Sequence, residues 1–164
     1  MVKVACYINS EGILAVLMPM YNDPTRPAGY TDDELLERAI ARKQANGGIP
    51  EGATYRIIDH SDVPSDRTFR NSWEDTGSAV QVNLPKARVL HMDVIRAARN
   101  AELYAKDITF MRAVEAGDAS AQSAIATEKQ VLRDIPATFD ITTDVDTPEK
   151  LKAKWPSELP ARES

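Results

Sequence analysis

The chain has 164 residues, 43% of them apolar and 27% charged, and a net charge of −5. That is the composition of a folded globular chain, large enough for one ordinary domain or a small domain with an appendage. The acidic balance works against wholesale attraction to nucleic acid or to an anionic membrane, and no apolar run approaches the ~18 residues a membrane-spanning helix needs.

Cys6 is the one cysteine, so an internal disulfide is excluded and synthesis in a reducing, cytoplasmic setting is expected. The N-terminal stretch has Lys3 but no apolar run long enough for a signal segment.

Val2, Val4, Cys6 and Ile8 alternate with Lys3, Ala5 and Tyr7, the period of a half-buried strand. Asn9-Ser10-Glu11-Gly12 supplies a turn and Ile13 to Met18 a second strand, which predicts a β-hairpin with Cys6 as a core residue. After a loop over Pro19 to Tyr30, Thr31 with Glu34 forms the signature of a capping box. The helix it opens carries Leu35, Leu36, Ala39 and Ile40 on one face and stops at Asn46-Gly47-Gly48. Tyr55-Arg56-Ile57-Ile58 reads as a third strand and Ala79-Val80-Gln81-Val82 as a short fourth, with Asn83 as a helix cap.

Leu84 to Glu115 then predicts a long helix. Ala87, Leu90, Val94, Ala97, Ala101, Tyr104, Ile108 and Met111 recur at alternating steps of three and four, a coiled-coil-like seam that requires a partner surface along its length. The helix is expected to fold back at Gly117-Asp118 onto a second arm over Ala119 to Ile135. That arm presents Ala121, Ala124, Ile125, Val131, Leu132 and Ile135 to its partner, and Pro136 is expected to end it. Ala97, Ala98, Ala101 and Ala105 opposite Ala121 and Ala124 would allow close approach of the two arms. Thr147-Pro148-Glu149 opens a last short helix before Trp155-Pro156. The expected architecture is α+β: a small antiparallel sheet with one helix over 1–83, a helical hairpin over 84–136 and a tail over 137–164.

Catalytic signatures are sparse. His60 between Asp59 and Asp62 is the most enzyme-like cluster, but Asp-His-Ser-Asp before proline is also ordinary turn composition. His60 and His91 with a distant Cys6 form no metal-ligand spacing. Asp140, Asp144 and Asp146 lack the glycine and closing glutamate of a calcium loop. No phosphate-binding loop, dinucleotide fingerprint or nucleophile elbow occurs. No catalytic residue, cofactor or metal site is therefore expected.

Lys86, Arg88, Arg96, Arg99, Lys106 and Arg112 on the long helix, with Arg67 and Arg70 beside Phe69 and Trp73, raise nucleic-acid binding as an alternative. An exposed helix laced with opposite charges, such as Glu102–Lys106, is the favoured reading of the same pattern.

Arg96 and Arg99 leading through Leu103 to Asp107, then Lys129-Gln130-Val131-Leu132-Arg133-Asp134-Ile135-Pro136, Thr147-Pro148-Glu149 and Trp155-Pro156, form a pattern over the C-terminal half. It resembles the helical segment of phage tail assembly chaperone-like proteins, small tail-associated accessory proteins of tailed bacteriophages. The stretch from Tyr55 to Asp59, through Asp62-Val63-Pro64 to Asp66–Trp73, is similar to a segment of phage tail-region proteins. The resemblance spans about residues 55–156 and leaves the first hairpin and the Thr31 helix outside it.

It implies a non-enzymatic protein that binds another tail protein, a tail fibre or tail tip, in the host cytoplasm during assembly or in the virion tail. The residues singled out for partner binding are Phe69, Arg70, Trp73, Arg96, Arg99, Tyr104, Met111 and Trp155; core packing is the equal alternative for Trp73 and Trp155. A homo-oligomer is also expected to be possible, since a two-helix hairpin buries one stripe of each arm. The alternative function is a nucleic-acid-binding or host-defence-modulating protein acting through the basic side of the long helix.

Overall fold

The computed structural model describes residues 2–22, 24, 26 and 28–162. The fold is α+β, and the chain divides into two compact units, Met1–Asn83 and Leu84–Ser164.

In the first unit, strands β1 (Lys3–Ile8), β2 (Leu14–Leu17) and β3 (Tyr55–Asp59) form an antiparallel sheet in the order β2-β1-β3. Ala5 stands opposite Leu17 on one side and Ile57 on the other. Asn9 closes the first turn, its Oδ1 accepting from Glu11 N and Ile13 N. Helix α1 (Asp32–Ala45) starts at the predicted capping box: Thr31 Oγ1 accepts from Glu34 N at 3.2 Å, and Glu34 Oε2 accepts from Thr31 N at 2.7 Å.

The alternation in β1 suggests one buried face, but the strand is buried on both. Ala5 and Tyr7 pack with Leu36, Ile40 and Ile49 under α1. Val4 and Cys6 pack with Leu14, Ile58, Trp73 and Val80 on the opposite side. The second cover is a hairpin of β4 (Trp73–Asp75) and β5 (Val80–Val82), of which the sequence discloses only β5. Cys6 is buried and its Sγ–H donates to Arg56 O; burial pushes the thiol's pKa up, which leaves it an inert core residue.

The second unit is built on α2 (Leu84–Glu115) and α3 (Ala119–Thr138), which pack together, and the short α4 (Pro148–Ala153). With 32 residues, α2 is about 48 Å long. The reversal is built from local hydrogen bonds. Asp118 N–H returns to Ala113 O and Gly117 N–H to Val114 O, with Gly117 at φ 65°, a value that favours glycine. Asp118 Oδ1 then caps α3 by accepting from Ala121 N at 2.9 Å.

Pro136 does not end α3 as its sequence position suggests. The helix runs to Thr138 with Pro136 inside its last turns, and Phe139 N–H still reaches Ile135 O at 2.8 Å. Residues of the expected free tail belong to this unit's core: Ile141, Val145, Leu151, Pro156 and Leu159 are buried along with Ile95, Leu132 and Ile135.

Candidate protein-docking face

Near its N-terminal end α2 is tied to the C-terminal segment of its unit. Arg88 Nη2 donates to Val145 O at 2.7 Å, and His91 Nε2 lies 2.6 Å from Lys154 O. A carbonyl can only accept, so the hydrogen bond assigns the proton to Nε2. Trp155 meets the His91 ring edge-on at 6.2 Å, donates from Nε1 to Pro160 O, and carries the Arg162 guanidinium over its own ring. Burial, with the positive charge of Arg162, pushes the His91 pKa down, so the ring is neutral near pH 7. Trp155 is thereby engaged within the chain.

Beyond Ile95 the character of α2 changes. Its partly buried residues are Ala98, Arg99, Glu102, Leu103, Lys106 and Phe110, ending at the buried Ala113, a mixture of apolar and charged side chains. On α3 the half-buried residues of this stretch are Ala121, Gln122, Ile125 and Lys129. Lys106 pairs with Glu128 of α3, and Lys129 of α3 pairs with Asp107 while its ammonium lies 5.1 Å from the centre of the Phe110 ring. Gln122 Nε2 donates to Ala113 O. Lys106 therefore bridges the two arms, where the sequence suggested a pair with Glu102 four residues away. Long side chains can do this because their aliphatic stems cover apolar surface while their charged ends reach a partner.

The predicted apolar seam lies on the other side. Ala87 is buried and Leu90 half-buried, but from Val94 onward the seam is exposed: Val94 by 41%, Tyr104 by 71%, Ile108 by 43% and Met111 by 56%, with Ala97 and Ala101 also open. On α3, Ala124 and Val131 are exposed as well, whereas Ala121 and Ile125 are half-buried and Leu132 and Ile135 buried. Over its distal two-thirds α2 thus half-buries a mixed apolar and charged stripe and leaves an apolar heptad stripe outward. Apolar surface of that size rarely lies open without a use.

The remaining sequence candidates fall elsewhere. Trp73 packs in a core of the first unit, the packing alternative raised for it, and Trp73 and Phe69 are 4% and 5% exposed, so neither ring lies open for a partner in the single chain. The segment mixes aromatic and basic residues because the rings point inward and Arg70 outward. Arg96 is ion-paired with Asp93, and Arg99 donates to Asn100 Oδ1. Together with Arg88 and Lys106, these basic groups are engaged within the chain, which breaks up the row the nucleic-acid alternative would use.

His60 lines a cleft of about 790 Å³ in the first unit with Asp62, Arg67, Trp73, Val16 and Met18. The Arg67 guanidinium sits 6.0 Å from the centre of the Trp73 ring. The acidic stretch 140–146 is committed locally. Asp140 accepts from Thr142 and Thr143, whose side-chain and backbone donors hold its carboxyl well below the usual range, and Asp146 pairs with Lys150. Among the described residues no group of three or more His, Cys, Asp or Glu is placed to hold a metal ion, and no helix is long and apolar enough to cross a membrane.

Comparison with protein families, with curated proteins and with solved structures finds no match.

Proposed function

We propose that this is a non-enzymatic binding protein whose docking face is the outward stripe of α2, with Tyr104 and Met111 at its centre. The observation that carries the reading is the outer side of α2, where a heptad-spaced apolar stripe is exposed while Glu102, Leu103 and Lys106 on the other side are half-buried. Such a stripe matches the way an amphipathic helix presents anchors at i, i+3 and i+7 to a partner. The large side chains Tyr104 and Met111 are of the kinds enriched at interfaces.

The resemblance of residues 55–156 to phage tail assembly chaperone-like proteins supplies the proposed partner, another tail protein of the fibre or tip class. It also supplies the proposed setting, the host cytoplasm during assembly or the virion tail. Engagement of Arg88, Arg96, Arg99 and Lys106 within the chain disfavours the nucleic-acid alternative.

The test is co-expression with the tail-fibre and tail-tip proteins encoded beside this chain, followed by light scattering. A stoichiometric complex that is lost on Tyr104→Lys supports the reading. A complex indifferent to that substitution removes the α2 stripe from it, and strongly salt-dependent capture of DNA or RNA instead would favour the alternative.

A further inference from the structure

The outward stripe of α2 has an internal symmetry that identifies an occupant. Its positions run Val94, Ala97, Ala101, Tyr104, Ile108, Met111. When the same helix is laid against itself antiparallel about a two-fold axis between Glu102 and Leu103, each layer sets a smaller side chain against a larger one. Ala101 faces Tyr104 of the second copy, Ala97 faces Ile108, and Val94 faces Met111; the two-fold then repeats all three layers. Large against small is the arrangement that fills a helix–helix interface without voids or overlap.

The parallel in-register alternative fails on the same residues. It would stack Ala97 on Ala97 and Ala101 on Ala101, leaving two hollow layers, while Tyr104 and Met111 each met their own copy. Cavities and overfilled layers both cost stability.

The flanks agree with the antiparallel register. On one side Ala98 meets Ala105 of the second copy, which lets the backbones approach closely. On the other, Asn100 meets Asp107 and Asp93 meets Val114, so no like charges are opposed. Ala97, Ala98, Ala101 and Ala105 then form a shallow trough for the Tyr104 ring of the opposite chain.

We infer that a second copy of this chain covers the outward stripe of α2 as a two-fold antiparallel helix pair, with Tyr104 of each copy seated on Ala101 of the other. This rests on the stripe being a protein-docking face and names its occupant in the free protein; a tail partner using the same stripe would have to displace the second copy. The paired segment, Val94 to Met111, is about 26 Å long. It lies at the small end of specific interfaces, so the expected dimer is reversible, with a dissociation constant on the order of micromolar.

Sedimentation equilibrium of the full chain over a concentration series tests it. A monomer–dimer equilibrium is expected, weakened about tenfold or more by Tyr104→Lys, which loads a charge onto the central layer. Tyr104 is already exposed in the single chain, so unchanged circular dichroism should accompany the loss.

Register is read separately by mixing Ala97→Cys and Ile108→Cys chains, both in a Cys6→Ser background, with a short bismaleimide. Cross-links between unlike chains are expected; cross-links between like chains overturn the antiparallel register. A chain that stays monomeric to about 500 μM overturns self-pairing. That result leaves the docking reading to stand or fall on whether Tyr104→Lys abolishes the complex with a tail protein.

Discussion

At the base of the helical unit, Ile95, Leu132, Leu151 and Leu159 are buried, and His91 and Arg88 bond to carbonyls of the segment that closes over them. Towards the tip, Ala113 is the buried apolar side chain among the described residues from Ala97 to Gln130, and the arms are joined by Lys106–Glu128 and Lys129–Asp107. The base is an ordinary core. The tip is two helices joined by half-buried apolar side chains such as Leu103 and Ile125 and by charge pairs whose carboxylates are solvated, each pair worth about 1 kcal/mol. A rod built in this way keeps its shape through its anchored end and leaves its outer side available for other contacts.

Substitutions should separate the two ends. Leu151→Ala at the base removes a fully buried side chain and should cost about 2–5 kcal/mol, read as a shift in the urea midpoint of the helical unit. A loss below about 1 kcal/mol would mean that the short C-terminal helix is not part of the cooperative core.

The base should also be sensitive to acid through His91. His91 has a folded pKa below its ordinary 6.5, so the unfolded chain binds the proton first as pH falls. Stability from this group is complete above about pH 6.5 and is lost as pH drops from there through the folded value. His91→Gln should flatten that part of the profile, and an unchanged pH dependence would assign it to other groups.

Amide hydrogen exchange gives a finer division. Helix amides near Ile95 and Leu132 should exchange only through global opening, while those from Tyr104 to Glu115 exchange through local opening in dilute protein. Protection of Tyr104–Met111 should increase with protein concentration if a second copy covers the stripe.

The smallest effect is expected at the tip itself. Lys129→Gln removes the partner of Asp107 and the ammonium beside Phe110, and should change stability by about 1 kcal/mol or less. A larger loss would show that the charge pairs are structural and would erase the contrast with the base.

Much of this architecture is legible in the amino-acid order because it is written locally. Thr31 with Glu34, Gly117 with Asp118, and Thr147 before Pro148 each mark a helix boundary through bonds made within a few residues. The bounds of α2 follow from such signals.

What is not legible depends on contacts between distant residues. Periodicity identifies an apolar seam on α2 but not which surface fills it, and the residues half-buried beside Leu103 turn out to include Glu102 and Lys106, whose polar ends conceal their packing role. Trp73 and Phe69 give the same local signal whether core or interface; the burial of Trp73 follows from the three-residue strand β4 packing on Val4 and Cys6 of β1. Pro136 reads as a terminator by its missing N–H, yet a helix this near its end tolerates the loss.

The bond from His91 to Lys154 spans 63 residues, and it has a consequence for the order in which the unit is made. Synthesis runs from the N-terminus, so Leu151 and Pro156, which seal the base, are made after both arms of the hairpin and can dock only once all three have left the ribosome. Until then Ile95, Leu132 and the imidazole of His91 lack their cover, and the nascent hairpin carries exposed apolar surface at both ends. Closure by a sequence-distant segment should be the slow step of folding, and the interval before it is when misassembly is most accessible to the chain.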